Sequence, residues 1–305
     1  MLIQKQPAEL GGNVWMLGTA AYPVYLVRGK QEGAILEGGI SALGPLLADQ
    51  FKQLDVAADY VRQLVITHAH PDHVMAVPLL RQMFPGLKVV ASKAAAAVLS
   101  VEEAVGFFRQ IDCTLTRSLH GSGVIAEAPP APAMAENRIA VDRVVADGDV
   151  IAVEDRAWTV LETPGHSDCS ISLHDAKSGV LVVSDATGYY FAGSNTWWPN
   201  YFSNYAAYVR SMERLAALDA ETLCLSHNAA LVGRDDVRAY FAGAIAATRQ
   251  YHQRILAESK AGKTVRQLAE QLGAEVHPQI PVLPLDFFQK NSGLLVKQSL
   301  KHGDG

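Results

Sequence analysis

The densest group of chemically active side chains in this sequence follows a short apolar run that ends at Thr67. Four potential metal ligands lie within six residues: His68, His70, Asp72 and His73. The first two histidines are two positions apart, so they point the same way in an extended chain, and Pro71 then turns the chain. One short loop can thus offer ligands to two neighbouring metal ions, and imidazole with carboxylate suits zinc, iron or manganese.

Three further side chains of ligand type stand just beyond apolar runs elsewhere in the chain. Each of them follows such a run by no more than five residues, and they are His166, Asp185 and His227. Loops at strand ends along one sheet edge are where α/β proteins gather functional side chains. A histidine-rich solvent loop is the alternative explanation of the first group, but it does not account for these three later placements.

The spacing of apolar runs and chain breakers indicates two similar halves. Short runs rich in Val, Ile and Leu are typical of β-meanders, and helical segments follow each set of them. Two β-rich halves backed by helices predict an α/β protein with two packed sheets and helices outside, an αββα four-layer sandwich. We expect a catalytic domain over residues 1–235 and a helical C-terminal cap over residues 236–305.

Composition narrows the class of protein. The chain has 305 residues, 49% of them apolar and 19% charged, with a net charge of −5, which argues against disorder and against a nucleic-acid partner. Three cysteines without close spacing argue against a disulfide framework. The opening residues lack an apolar core of signal-peptide length, and no stretch is long enough to span a bilayer. We expect a cytoplasmic protein with a small-molecule substrate and no membrane partner, and a homodimer is left open.

The ordered set HxHxDH, PGH, a strand-end Asp and a last strand-end His resembles the metallo-β-lactamase superfamily over about the first 235 residues. The resemblance implies the αββα fold and two transition-metal ions, zinc or iron, with manganese as a further option. It also implies that one ion is held by His68, His70 and His166, that the second is held by Asp72, His73 and His227, and that Asp185 bridges both. Ser226 stands where many members have a glycine.

Longer segments extend the resemblance. LEGGIS, LVITHAHPDH, VADGD, GHSD, SDATG and a late PLDFF occur in this order and are similar to quinolone-signal-response thioesterases of the superfamily. This similarity implies a hydrolase of an acyl-CoA-like thioester, in which a metal-bridging hydroxide attacks the thioester. It also implies that Asp72 orients this nucleophile or accepts its proton. The ligands leave a lactonase or phosphodiesterase open. A regulatory or signalling binding protein with secondary hydrolase activity is the competing hypothesis, and a redox diiron protein is disfavoured because His70 stands where such proteins usually have Glu.

An aromatic segment, residues 189–202, follows Asp185 and contains turn-forming residues, so we predict a loop there. So much aromatic surface has to pack against the fold or face a ligand. We expect Tyr189 and Trp197 to contact substrate, with Phe107 on the opposite wall. Cys169 lacks a paired base in the sequence and is predicted to be a packing residue.

Overall fold

The computed structural model describes residues 1–134 and 136–303, and within them it contains sixteen strands and eight α-helices. The strands are β1 Leu2–Ile3, β2 Ala8–Glu9, β3 Val14–Gly18, β4 Pro23–Arg28, β5 Gly33–Leu36, β6 Val61–Val65, β7 Lys88–Ser92, β8 Arg143–Val145, β9 Val150–Val153, β10 Arg156–Glu162, β11 Ile171–Asp175, β12 Val180–Ser184, β13 Tyr189–Phe191, β14 Thr196–Trp198, β15 Thr222–Leu225 and β16 Ala230–Val232. The α-helices are α1 Gly44–Gln53, α2 Val77–Met83, α3 Lys93–Leu99, α4 Glu102–Gly121, α5 Tyr205–Ala216, α6 Arg234–Lys260, α7 Val265–Val276 and α8 Leu285–His302.

The chain forms two compact units, and neither is a continuous segment. The first unit comprises Met1–Glu162, Cys169–Ser184 and Ala220–Val237. The second comprises Thr163–Asp168, Asp185–Asp219 and the chain from Arg238 onward. Compactness does not establish which segment folds by itself, so the division of the chain at residue 235 stays a prediction.

The first unit contains two seven-stranded sheets and helices α1–α4. One has the order β1-β16-β15-β12-β11-β10-β9, and the other β2-β3-β4-β5-β6-β7-β8. A single buried core joins them, with Tyr25 and Trp158 among its largest side chains. Antiparallel β3–β5 continue into parallel β6 and β7, and β12 lies parallel to β15. The parallel pairs bring the carboxyl ends of neighbouring strands to one edge of each sheet, where ligand-bearing loops can emerge.

The second unit consists of α5, most of α6, α7, α8 and a small hairpin. Strands β13 and β14 pair antiparallel, with Tyr190 opposite Trp197. The expectation of a loop is therefore wrong for residues 189–198, because alternating aromatic side chains can pair across a short turn in which Asn195 takes a left-handed conformation (φ 51°). Residues 199–202 belong to no strand or helix, as expected. Thr264 caps α7 with a capping box, in which its side chain and that of Gln267 each bind the other's backbone nitrogen.

None of the helices in the part of the chain that the structure describes has both the length and the apolar character needed to cross a lipid bilayer. The longest, α6, runs over 27 residues and has charged residues in its first turn.

Candidate metal centre

The histidines after β6 lie together inside the first unit. His68 Nε2 is 3.1 Å from His70 Nδ1, and the rings of His68 and His73 are 4.1 Å apart. His68 and His73 are 0% and 1% exposed, while His70 is half-buried. A 3₁₀ turn, Pro71–His73, reverses the chain after His70, with Pro71 at its first position. The turn returns His73 to the two preceding histidines, as the spacing of the motif predicts.

Asp72, His73 and His227 form a second group within the same unit. Asp72 Oδ2 lies 3.4 Å from His73 Nε2 and 3.6 Å from His227 Nε2, and one ligand atom of each residue falls within 4.8 Å of the other two. Ligands at about 2.0–2.2 Å from one tetrahedral zinc ion are roughly 3.3–3.6 Å from each other. The two separations from Asp72 therefore match those around a single ion.

The second unit brings together His166 and Asp185. His166 Nε2 lies 3.2 Å from Asp185 Oδ2, and the two side chains are almost completely buried. Asp185 opens a 3₁₀ turn, Asp185–Thr187, immediately after β12. A buried imidazole beside a buried carboxylate is costly unless both are paired or bind a metal, so this pair also fits a ligand role.

Four of these histidines have an oxygen partner for the nitrogen that does not face the cluster. Nδ1 of His227 lies 2.6 Å from the backbone carbonyl oxygen of Ala21. Nδ1 of His166 lies 2.9 Å from the backbone carbonyl oxygen of Asn200. Nδ1 of His73 is 3.1 Å from Glu37 Oε1, and Nδ1 of His68 is within 3.3 Å of two hydroxyls. Such partners fix the ring tautomer and leave the other nitrogen as a metal-binding lone pair.

Sequence reasoning missed the buried carboxylate that organises two of these partners. Glu37 follows β5, is 1% exposed, and accepts hydrogen bonds from the hydroxyls of Thr67 and Ser184. Its backbone is left-handed (φ 90°), which is rare for a residue with a side chain and often marks a functional position. A Cβ on the next residue, Gly38, would lie 2.3 Å from the carbonyl oxygen of His73, so only glycine permits this close approach. The only hint of this carboxylate in the sequence was that Glu37 is followed by two glycines just after an apolar run.

The hairpin β13–β14 presents different aromatic residues on its two faces. Tyr190 and Trp197 share one face, with ring centres 4.9 Å apart, and these centres lie 5.2 Å and 5.7 Å from that of Tyr240 on α6. Tyr189 lies on the opposite face and is half-buried. Trp197 also lines a groove of about 450 Å³ along α6, together with Gly243 and Ala246. The two residues predicted to bind substrate thus project from opposite sides of the hairpin.

Phe202 is an aromatic neighbour of the ligand pair itself. Its ring centre is 5.2 Å from that of His166, and Trp198 packs behind it at 6.1 Å. The side chain is half-buried. Because Trp198 and Tyr189 are cross-strand partners on one face of the hairpin, that face is the one associated with His166.

Two other predicted positions lie in the first unit. Phe107 is on α4 with 57% of its surface exposed, whereas its neighbour Phe108 is buried. Cys169 is buried, and its Sγ accepts a hydrogen bond from the backbone nitrogen of Ala69, between two of the histidines. This contact gives Cys169 a packing and loop-supporting position.

The sequence and the fold match known proteins. A family model described as the metallo-beta-lactamase superfamily matches residues 18–227. The chain is similar to the acyl-coenzyme A thioesterase MBLAC2 of Gallus gallus, with 30% identity over 64% of this chain and 66% of the relative. It is also similar to a hydroxyacylglutathione hydrolase of Stenotrophomonas maltophilia, with 26% identity over 63% of this chain and 55% of the relative. The chain spans about two thirds of the length of the first of these curated relatives.

Solved structures share the fold. A metallo-beta-lactamase family protein from Thermus thermophilus matches with a TM-score of 0.65 and 20% identity, covering 95% of this chain and 93% of that one. The subclass B3 metallo-beta-lactamase MEM-A1 from a soil metagenome matches with a TM-score of 0.59 and 22% identity, covering 86% and 99%. At this identity the likeness concerns the fold, and it confirms the αββα sandwich with C-terminal helices that the sequence predicts.

Proposed function

This chain belongs to the metallo-beta-lactamase superfamily, and from that premise we propose that it is a dinuclear metal-dependent hydrolase of acyl-thioester bonds. The observation that carries the proposal is the arrangement of its histidines. Each of His73, His166 and His227 turns Nε2 toward a carboxylate and has Nδ1 beside an outer oxygen. Imidazoles held in this way are oriented to bind metal through Nε2.

The donor set fits two ions. In the proposal His68, His70 and His166 hold one ion, Asp72, His73 and His227 hold the other, and Asp185 bridges them. Nitrogen and carboxylate oxygen donors suit zinc, iron or manganese. When bound, two such ions would lower the pKa of a shared water enough to supply hydroxide at neutral pH and would place positive charge beside a developing oxyanion.

The chain's own residues then have separate tasks. Asp72 is 30% exposed, more than His73 or His227 beside it, so its carboxylate reaches the substrate side of the cluster and can orient the nucleophile or accept its proton. The buried imidazoles keep their orientation because Nδ1 of each is held by an outer oxygen, so they need no rearrangement during the reaction.

A thioester is the favoured substrate class for two reasons. A thiolate is a good leaving group and departs without much help from a general acid. The curated relatives that match this chain include an acyl-coenzyme A thioesterase and a hydroxyacylglutathione hydrolase, both named for thioester substrates. The aromatic face of the hairpin, with Tyr189, favours an acyl or aryl-acyl group, and Trp197 and Phe107 remain predicted contacts.

The test is a substrate panel with matched variants. Protein purified without added metal should contain two transition-metal ions per chain and should hydrolyse acyl-CoA thioesters faster than a lactone or a phosphodiester. His166→Ala should lose metal and turnover, while His120→Ala, an exposed histidine on α4, should lose neither. A wild-type chain that binds no transition metal would refute the metal centre, and turnover confined to a lactone or phosphodiester would refute the thioester assignment.

A regulatory binding protein remains the competing function. A chelator that abolishes turnover but leaves a partner interaction intact would separate the two roles. The proposal includes zinc, iron or manganese as the metal and a cytoplasmic location. It also includes a homodimer, which light scattering during size-exclusion chromatography tests.

A further inference from the structure

A buried tyrosine of α5 lies against the two loops that carry His166 and Asp185. Tyr208 is 0% exposed. A Cβ at Gly165, the residue before His166, would lie 2.3 Å from the backbone nitrogen and Cα of Tyr208. A Cβ at Gly188, three residues after Asp185, would lie 3.0 Å from the Tyr208 hydroxyl. The backbone of Tyr208 thus touches one ligand loop, and the end of its side chain touches the other.

Hydrogen bonds connect the same tyrosine to the imidazole of His166. His166 Nδ1 is 2.9 Å from the carbonyl oxygen of Asn200, and the backbone nitrogen of Asn200 donates to the Tyr208 hydroxyl at 3.3 Å. Because both bonds use backbone atoms of Asn200, this residue cannot shift without changing the ring orientation. Burial holds the pKa of the Tyr208 phenol well above its usual range, so its oxygen remains a neutral acceptor.

The beginning of α5 fixes the His166 loop independently. The backbone nitrogens of Ser203 and Asn204 both donate to the carbonyl oxygen of Gly165, at 3.0 Å and 3.1 Å. Ser211, one turn after Tyr208, donates from its hydroxyl to the carbonyl oxygen of Pro164 at 2.8 Å. Gly165 has φ +129°, a conformation that glycine adopts without strain. The loop is therefore held on α5 at several points around Tyr208.

We propose that Tyr208 is a positioning residue that sets the spacing between His166 and Asp185 and, through the backbone of Asn200, turns His166 Nε2 toward the bridging carboxylate. The inference rests on the metal centre of the proposed function. It predicts that removal of the hydroxyl alone weakens one metal site, because the Asn200 amide loses its acceptor while the ring packing remains. Loss of a direct outer partner usually weakens metal affinity about 10–100-fold, so a partner one step further out should cost about threefold to tenfold.

Tyr208→Phe tests the proposal, with Tyr201→Phe as the matched control. Tyr201 is equally buried in the same unit, and its hydroxyl pairs with Ser299 of α8 at 3.0 Å. Both variants should lose similar stability. Zinc affinity, measured by competition with chelators of graded strength, should fall for one of the two ions in Tyr208→Phe and for neither in Tyr201→Phe. The visible spectrum of the cobalt-substituted protein should change only in Tyr208→Phe.

The outcomes distinguish a failure of the positioning role from a failure of the metal centre. Equal zinc affinities and cobalt spectra in wild type and Tyr208→Phe would overturn the positioning role, and so would equal losses in the two variants. If wild type binds no zinc, the proposed metal centre fails instead. Should Tyr208→Phe not fold, nitrogen-15 NMR of wild type decides, because the proposal requires a slowly exchanging Asn200 amide and a proton on His166 Nδ1. A rapidly exchanging amide or a proton on Nε2 would overturn it.

Discussion

Glu37→Gln is the sharpest test of how the first unit prepares its histidines. Glu37 Oε1 lies 3.1 Å from His73 Nδ1, and Oε2 accepts a hydrogen bond from Ser184 Oγ at 3.0 Å. Ser184 Oγ in turn lies 3.2 Å from His68 Nδ1. If Nε2 of His68 binds metal, its Nδ1 carries a proton and donates to Ser184, whose hydroxyl donates to the carboxylate. One carboxylate therefore lies beside His73 Nδ1 and also accepts the hydrogen bond of the Ser184 hydroxyl, which in turn lies beside His68.

Glutamine has almost the same shape but carries an NH₂ group in place of one carboxylate oxygen and has no negative charge. If its amide oxygen remains opposite His73, its NH₂ group faces the Ser184 hydroxyl, which then meets two donors. If the amide is turned round, the NH₂ group faces His73 Nδ1–H directly. The second arrangement opposes a donor with a donor, the first forces the Ser184 hydroxyl to turn its proton away from residue 37, and both remove the negative charge beside the two imidazoles.

The expected loss is about tenfold to hundredfold in metal affinity, which is the usual effect of removing an outer partner. This corresponds to about 1.4–2.8 kcal/mol. Zinc competition with chelators measures it directly. The control is Glu154→Gln, because Glu154 is an exposed carboxylate that accepts hydrogen bonds from the backbone nitrogens of Lys30, Gln31 and Glu32. A zinc affinity for Glu37→Gln within threefold of wild type would refute the reasoning.

Four other substitutions test the same structure. Asp185→Asn should lose at least one metal ion per chain by elemental analysis, and unchanged stoichiometry would exclude the bridge. Cys169→Ser should keep most metal and turnover because serine also accepts from the Ala69 amide, so a loss as large as that of His166→Ala would contradict a packing role. Tyr189→Ala should lower kcat/KM for a bulky aromatic thioester about ten- to hundredfold more than for a short ester, because one buried aromatic contact contributes about 1–3 kcal/mol. Equal losses on the two substrates would show that Tyr189 does not line the substrate pocket. Burial raises the pKa of the Asp112 carboxyl, so the folded metal-free chain holds this proton more tightly than the unfolded chain. The free energy of unfolding should therefore fall as pH rises from the usual aspartate range through the raised pKa. Asp112→Asn should lack that component in urea unfolding at several pH values, and identical pH profiles would contradict it.

Much of the fold was readable from the sequence because its signals are local. The strands β6, β10, β12 and β15 are four to seven residues long and rich in apolar side chains, and the turn after each is short. The positions of the proposed ligands were readable for the same reason, since a histidine or aspartate just past a buried strand has little freedom in where it lies. The capping box of α7 is also a local signal.

Local sequence patterns were insufficient where a strand depends on its pairing partner or where one helix and two helices fit the same segment. The aromatic segment reads as a loop from its turn residues, but pairing of Tyr190 with Trp197 makes it a hairpin. The alanine-rich stretch from Ser92 to about Asp112 favours one helix on intrinsic propensity alone. The structure ends α3 at Leu99 and begins α4 at Glu102, which runs on to Gly121.

Sequence alone determined which side chains are of ligand type and at which strand ends they stand, because type and spacing are properties of the chain. Only the tertiary structure decided what holds them in place. Glu37 is 31 residues from His68 in sequence, and Tyr208 is 42 from His166, yet each acts on its histidine through hydrogen bonds across the fold. An outer partner is specified by three-dimensional proximity, and a carboxylate or phenol becomes such a partner only when burial removes competing water.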